Sequence, residues 1–232
     1  MIPSVDSAAA YHWKVNKMQV DKKIHILRSW KVNEITGDFV LWDVWEVPIS
    51  ADNSNTENFQ AFYRVAVETF KKMQKNNSPA GLLFTIRHWI SRVFPLDQNI
   101  NTLPIPGCEE RSVGTRLMEI DRHKSKKGIP IEFHTGGLAF LPVYLFDDES
   151  LHEISNDTVH ALIHVGWIKK GDDTFTATLA IYVKTRGLCG MVYIKLIGPF
   201  RHYIVYPAMM KTIKKEWEKY LLWIKKNKST KP

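Results

Sequence analysis

The sequence predicts an α+β domain with its helices gathered on one face of an antiparallel sheet, and three observations carry this. TVHALIHVGWI at 158–168 and TFTATLAIYVKT at 174–185 alternate apolar and polar residues on either side of a short polar turn. FVLWDVWEVPI at 39–49 is rich in strand formers and is followed by two segments with helical spacing. From Gly187 to Ile224, apolar residues recur three and four apart along nearly the whole stretch. Strands and helices segregated in this order give α+β architecture, not alternating βαβ units.

Residues 1–35 contain aromatics without a clear period, Tyr11, Trp13 and Trp30 among them, and are read as an N-terminal extension. The domain proper is placed at 36–226, with a basic tail at 227–232. Gly37-Asp38 introduces the first strand, which Pro48 ends. Ser54 and Glu57 form a capping box for a helix whose apolar face is Phe59, Phe62, Tyr63, Ala66, Phe70 and Met73. Ser78-Pro79 starts a second helix, with Leu82, Ile86, Trp89, Ile90 and Val93 on its buried face and Pro95 after it. These two short helices are the expected cover for the C-terminal element.

Residues 95–137 read as loop, with a short helix around Ser112–Ile120. A loop of this length is a candidate lid. Segments 140–146 and 150–154 are two more strands, each ended by turn residues. With Lys169–Asp173 as the next turn, Trp167 faces Phe175, Val165 faces Ala177 and Ile163 faces Leu179. That parity puts Val159, Ala161, Ile163, Val165 and Trp167 on the core face. His160 and His164 fall on the other parity, about 13 Å apart along a strand, too far to share one metal ion. They are read as solvated residues, and His152 is the one histidine that could approach either of them across strands. No metal site and no cofactor are expected.

The C-terminal stripe runs through Val192, Leu196, Phe200, Tyr203, Met210, Ile213, Trp217, Leu221 and Ile224. An unbroken helix would be roughly 60 Å long, in a domain about 45 Å across. A break or kink is therefore predicted at Gly198-Pro199 and Pro207. Residues 188–210 are the one membrane-span candidate, but Lys195 and Arg201 would each cost about 2.5–3.5 kcal/mol at a bilayer centre, and no span is expected. The two cysteines, Cys108 and Cys189, make no disulfide framework, and no secretory signal is visible, so a cytoplasmic location is expected. The net charge of +8 is spread along the chain without a nucleic-acid motif, and no nucleic-acid partner is expected. Peripheral membrane contact remains an alternative for the lysine-rich final helix with Trp217 and Trp223.

Arg201-His202 is the polar pair singled out, because it sits inside an apolar stretch and a buried guanidinium requires a partner. One alternative makes Arg201 the anchor for a carboxylate or phenol head group, with His202 as donor or base and Tyr206 nearby. The other pairs Arg201 structurally with Glu109, Glu110 or Asp157. Trp167, Phe175, Tyr193 and Phe200 are candidate lining residues for the same cavity, or plain core.

Three blocks carry a resemblance: PIPGCEERSVGTRL at 104–117, SLHEISNDTVHALIHVGW at 150–167 and GPFRHYIVYPAMM at 198–210. They resemble the conserved blocks of an uncharacterised domain-of-unknown-function family, number 2867. That family is associated with the START/polyketide-cyclase/Bet v (SRPBCC) superfamily of helix-grip folds. The resemblance implies a curved antiparallel sheet gripping a long C-terminal helix, with an apolar cavity between them. It transfers no catalytic residues. The function expected on this basis is binding of a small hydrophobic or amphipathic ligand. The alternatives are a cavity-based cyclase or hydrolase using His202 with Arg201, and a protein–protein module using the apolar surface of 187–210.

Overall fold

A computed structural model of the chain describes residues 18–52, 59–75, 99–126, 133–135, 138–170 and 174–228. Two short helices, α1 (Lys22–Ile26) and α2 (Lys31–Ile35), precede strand β1 (Val40–Asp52) and helix α3 (Phe59–Lys75). A 3₁₀ turn (Val113–Arg116) and helix α4 (Glu119–Lys124) lead to β2 (Phe133–Thr135), β3 (Leu138–Leu145), β4 (Glu149–Ser155), β5 (Val159–Lys169) and β6 (Thr174–Thr185). The chain ends in α5 (Gly187–Phe200), a π turn (Arg201–Val205) and α6 (Tyr206–Lys228). The strand order is β1-β6-β5-β4-β3, every pair antiparallel, with three-residue β2 added beyond β3. The architecture is therefore α+β, with a long C-terminal helix. The capping box at 54–57 and the helix expected at 79–93 lie outside the described residues.

β1 runs past Pro48 to Asp52, because a register shift between Val47 and Ala51 accommodates the proline that was expected to end the strand. β5 and β6 pair with Ile163 opposite Ile181, Val165 opposite Leu179 and Trp167 opposite Ala177. That register is displaced by two residues from the predicted one. Alternation fixes parity, which is unchanged, but it does not choose among registers of equal parity.

The main core lies between the sheet and helices α3, α5 and α6, and includes Trp45, Val47, Phe59, Phe62, Leu179, Met210 and Trp217. A second core fills the opposite face, where Trp30, Val32, Ile35, Phe39, Ile105, Val113 and Leu117 cover Leu41, Val44, Leu151, Leu162 and Tyr182. Two expectations are corrected here. Residues 99–117 of the expected lid belong to this second cover and are not a gate over the main core. The N-terminal segment supplies the rest of the cover, so His160 and His164 are not solvated: both are 0% exposed. A polar parity reads as solvent-facing only when nothing covers it, and the covering aromatics had no period to reveal them.

Both histidines find carboxylates on β4. His160 Nε2 lies 3.0 Å from Glu153 and His164 Nε2 lies 2.9 Å from Glu149. Glu153 also accepts the Val113 N–H at 3.0 Å, and Glu149 accepts the Lys31 N–H at 2.8 Å and the Tyr144 hydroxyl at 2.7 Å. Burial pushes the Glu149 carboxyl up, but the hydrogen bond and charge of His164, helped by Lys31 and Tyr144, hold it below its ordinary value. His25 from α1 meets the Tyr182 hydroxyl at 3.0 Å and sets its ring edge-on to His164 at 5.2 Å. Burial first, then the neighbouring His164 and Arg28, lowers its pKa from 6.5 to about 3.

The C-terminal helix corrects the predicted stripe. In α5 the buried residues are Gly190, Tyr193, Ile194 and Ile197, while Val192 is 62% and Leu196 70% exposed. In α6 the predicted Met210, Ile213, Trp217 and Ile224 are buried. The two halves differ in phase because the π turn inserts one residue between them, with the Tyr206 N–H bonding Arg201 O. One added residue turns the preceding helix by about 100°. The turn stands where a break was expected, between Pro199 and Pro207, whose missing N–H groups loosen the ladder. Outside it, Leu188, Val192, Leu196 and Ile204 form an exposed apolar row. No helix among the described residues is long and apolar enough to cross a membrane.

α5 is seated on the β4–β5 turn through Gly190, where an added Cβ would lie 2.1 Å from the backbone oxygen of Thr158. Gly190→Ala is expected to lower stability by about 2–3 kcal/mol, as overpacking against backbone does, whereas Cys189→Ala, at the exposed neighbour, is expected to leave the denaturation midpoint unchanged. His25 gives a pH signature. The folded protein holds it neutral, so below pH 6.5 the unfolded chain takes up a proton that the folded chain refuses until about pH 3. Stability is expected to fall through that window, and thermal melts of His25→Gln should show a shallower fall than the parent between those pH values.

Candidate ligand cavity

A cavity of about 220 Å³ lies between the sheet and helices α3, α5 and α6. Its floor is the core parity of the central strands. Ala161, Ile163 and Val165 are only half-buried, unlike the residues between them, and the described side chains leave the space above them open. The wall is mostly apolar; its polar described residues are Tyr63, His152, Asn156, Thr178, Tyr193, Arg201 and Tyr206, and two groupings among them stand out.

The first place is the π turn. Arg201 is its first residue and is 8% exposed. Its guanidinium lies 5.5 Å from the Trp42 ring and 5.8 Å from the Tyr206 ring. Neither Nε nor Nη2 has a hydrogen-bond partner among the described residues. Trp42 stands at a β-bulge, the register shift between Leu41 and Asp43. Burial raises the pKa of the Tyr206 phenol, which keeps it neutral beside the cation.

The second place is formed by Tyr63 of α3 and His152 of β4. The Tyr63 hydroxyl is 2.8 Å from His152 Nε2, and the rings stack at 5.7 Å. Burial also raises the Tyr63 phenol, so it is a neutral hydroxyl. His152 pairs across the sheet with Ile163, on the face opposite His160 and His164, and does not join them.

The residues singled out in the sequence divide as follows. Arg201, Tyr206 and Tyr193 line the cavity. His202 points elsewhere: its Nδ1 is 3.6 Å from Asp43 Oδ1 and its ring meets Trp45 edge-on at 5.0 Å. Trp167 stacks on Phe175 at 5.7 Å and packs against Phe62 and Trp217, and neither Trp167 nor Phe175 is in the wall. Phe200 packs half-buried against the core, also outside the wall. The proposed structural partners of Arg201 are elsewhere too: Glu110 holds Arg116 at 2.8 Å, Asp157 holds Asn99 at 2.6 Å, and Glu109 is exposed. Sequence reasoning missed Tyr63 and His152 as a pair. Tyr63 read as helix core, and its partner is 89 residues away with no local signal linking them.

No curated protein and no solved structure matches the chain. The family model described as Protein of unknown function (DUF2867) matches residues 35–208, which includes both polar places and every strand of the sheet. The segment of α1 and most of α2, which closes the second core, precedes the matched region. On that match, the chain belongs to the DUF2867 family.

Proposed function

We propose that the protein holds a small amphipathic carboxylate in the cavity, within a helix-grip fold of the START/Bet v (SRPBCC) kind. The observation that carries this is Arg201: a buried side chain facing a largely apolar cavity, with Nε and Nη2 unpartnered among the described residues. Those two nitrogens form one edge of the guanidinium, and a carboxylate bridges such an edge with two parallel hydrogen bonds. A buried charge with unsatisfied donors is destabilising by several kcal/mol, so an anion entering the cavity would supply acceptors that the described residues do not. The fold reading is supported by the neighbouring first and last strands, the helical cover after β1 and the long final helix over the sheet.

Size narrows the ligand. An apolar cavity of about 150 Å³ takes a benzene molecule, and drug-sized sites begin at about 300 Å³. A cavity of 220 Å³ suits on the order of ten non-hydrogen atoms, a small aromatic or short-chain acid. Catalysis by His202 with Arg201 has less support, because His202 turns to Asp43 and away from the cavity. The protein-contact alternative is favoured by one feature, the exposed row on the outer side of α5, which is compatible with ligand binding inside.

Titration calorimetry with phenylacetate tests the reading. The parent protein is expected to bind, and Arg201→Met to bind about tenfold to a hundredfold more weakly, the weight of a charged hydrogen-bonded pair. Without ligand, Arg201→Met should melt at or above the parent temperature, since an unpaired buried charge is replaced by an apolar side chain of similar length. Equal binding by the variant, or a variant that fails to fold, would contradict the anchor role.

A further inference from the structure

The register of the sheet places the two polar sites at opposite ends of one row. Trp42 and Asp43 at the β1 bulge stand beside Ile181 of β6. Ile181 is opposite Ile163 of β5, and Ile163 is opposite His152 of β4. Arg201 lies over the first end of this row and Tyr63 bonds the histidine at the other. Ile181 and Ile163 form an apolar floor between them. Three steps between neighbouring strands span roughly 14 Å. A small molecule lying along this row can therefore turn one end to Arg201 and the other to Tyr63.

We infer that the ligand carries a second, uncharged polar group at the end opposite its carboxylate, received by the Tyr63–His152 pair. The inference rests on the reading of Arg201 as the carboxylate anchor. Tyr63 has capacity for such a group in either arrangement of the shared proton. If its hydroxyl donates to His152 Nε2, its oxygen still accepts; if the histidine donates, the hydroxyl proton is free to be given. Among the described residues Arg201 is the one arginine or lysine in the wall, so they place no second fixed cation at the Tyr63 end, which on that basis suits a hydroxyl better than a second carboxylate. The class is a hydroxy acid with hydroxyl and carboxylate at opposite ends, and a para-hydroxylated aryl acid has that arrangement and the rigidity to hold it.

The test compares 4-hydroxyphenylacetate with phenylacetate by calorimetry on the parent, Tyr63→Phe and His152→Gln. The parent is expected to favour the hydroxylated acid about tenfold, the scale of one buried hydrogen bond. Tyr63→Phe should bring the ratio towards one, each acid being read against the other on the same variant, so that a general change of the cavity cancels. His152→Gln acts on the same end and should reduce the ratio as well. Equal affinity for both acids in the parent, or a preference that survives Tyr63→Phe, would overturn the second contact while leaving the Arg201 anchor standing. If neither acid binds the parent, the anchor itself fails and this inference fails with it.

Discussion

One inserted residue between α5 and α6 sets the interior of this protein. A regular helix in phase with Met210, Ile213 and Trp217 would aim Val192 and Leu196 at the sheet. The π turn rotates α5 so that Tyr193, Ile194, Ile197 and Arg201 face it instead. Across from the turn, β1 carries its own irregularity at Trp42. The two irregular places meet: Arg201 lies over Trp42 and His202 faces Asp43. π turns and β-bulges recur where a side chain must be re-aimed, and here the re-aimed side chain is a cation two of whose nitrogens have no hydrogen-bonding partner among the described residues.

A cavity above a sheet keeps its shape only if the sheet beneath it is held. The second core does this from the far side. Glu149 and Glu153 on β4 each grip a histidine on β5 and reach a backbone N–H of the cover, at Lys31 and Val113. Arg116 ties the same cover to Asp38 at 2.6 Å, just before β1. Buried polar pairs are weak contributors to net stability because desolvation offsets their attraction, but losing one partner is expensive. Their effect is to fix which segment lies where. The floor residues Ile163 and Ile181 alternate in sequence with the members of this polar layer, so one strand pair serves both faces.

Much of the fold was legible in the sequence. Alternation in 158–185 gave the faces of β5 and β6, and the three–four spacing from Phe59 to Met73 gave α3. What was not legible depended on contacts distant in sequence. The cover of the far face comes from residues 22–39 and 99–117, which show no period because they are short irregular pieces fitted to a surface. Hence His160 and His164 were misread as solvated. The stripe in 187–200 was misread for a different reason: spacing alone cannot register an added residue inside a continuing helix, although Pro199 and Pro207 marked its location. Of the candidate site, Arg201 and Tyr206 follow from the apolar context around a charge and Tyr193 from its place among the candidate lining aromatics, and all three line the cavity. Tyr63 and His152 carry no such contrast in sequence, since a tyrosine on a core stripe and a histidine in a strand each have ordinary explanations.

The arrangement as a whole sets Arg201 at one end of an isoleucine floor and the Tyr63–His152 pair at the other, between a sheet held from behind and a helix phased by one extra residue. Its central claim is that the Arg201 guanidinium is sequestered from water and takes up an anion. Side-chain nitrogen NMR of the protein measures this directly. Arg201 should give an Nε–H signal, assigned by its loss in Arg201→Lys, that exchanges with solvent far more slowly than those of surface arginines such as Arg28 and Arg111. On addition of phenylacetate that signal should move more than any other arginine signal. An Arg201 signal that exchanges as fast as the surface ones, or stays in place while phenylacetate binds, would contradict the account.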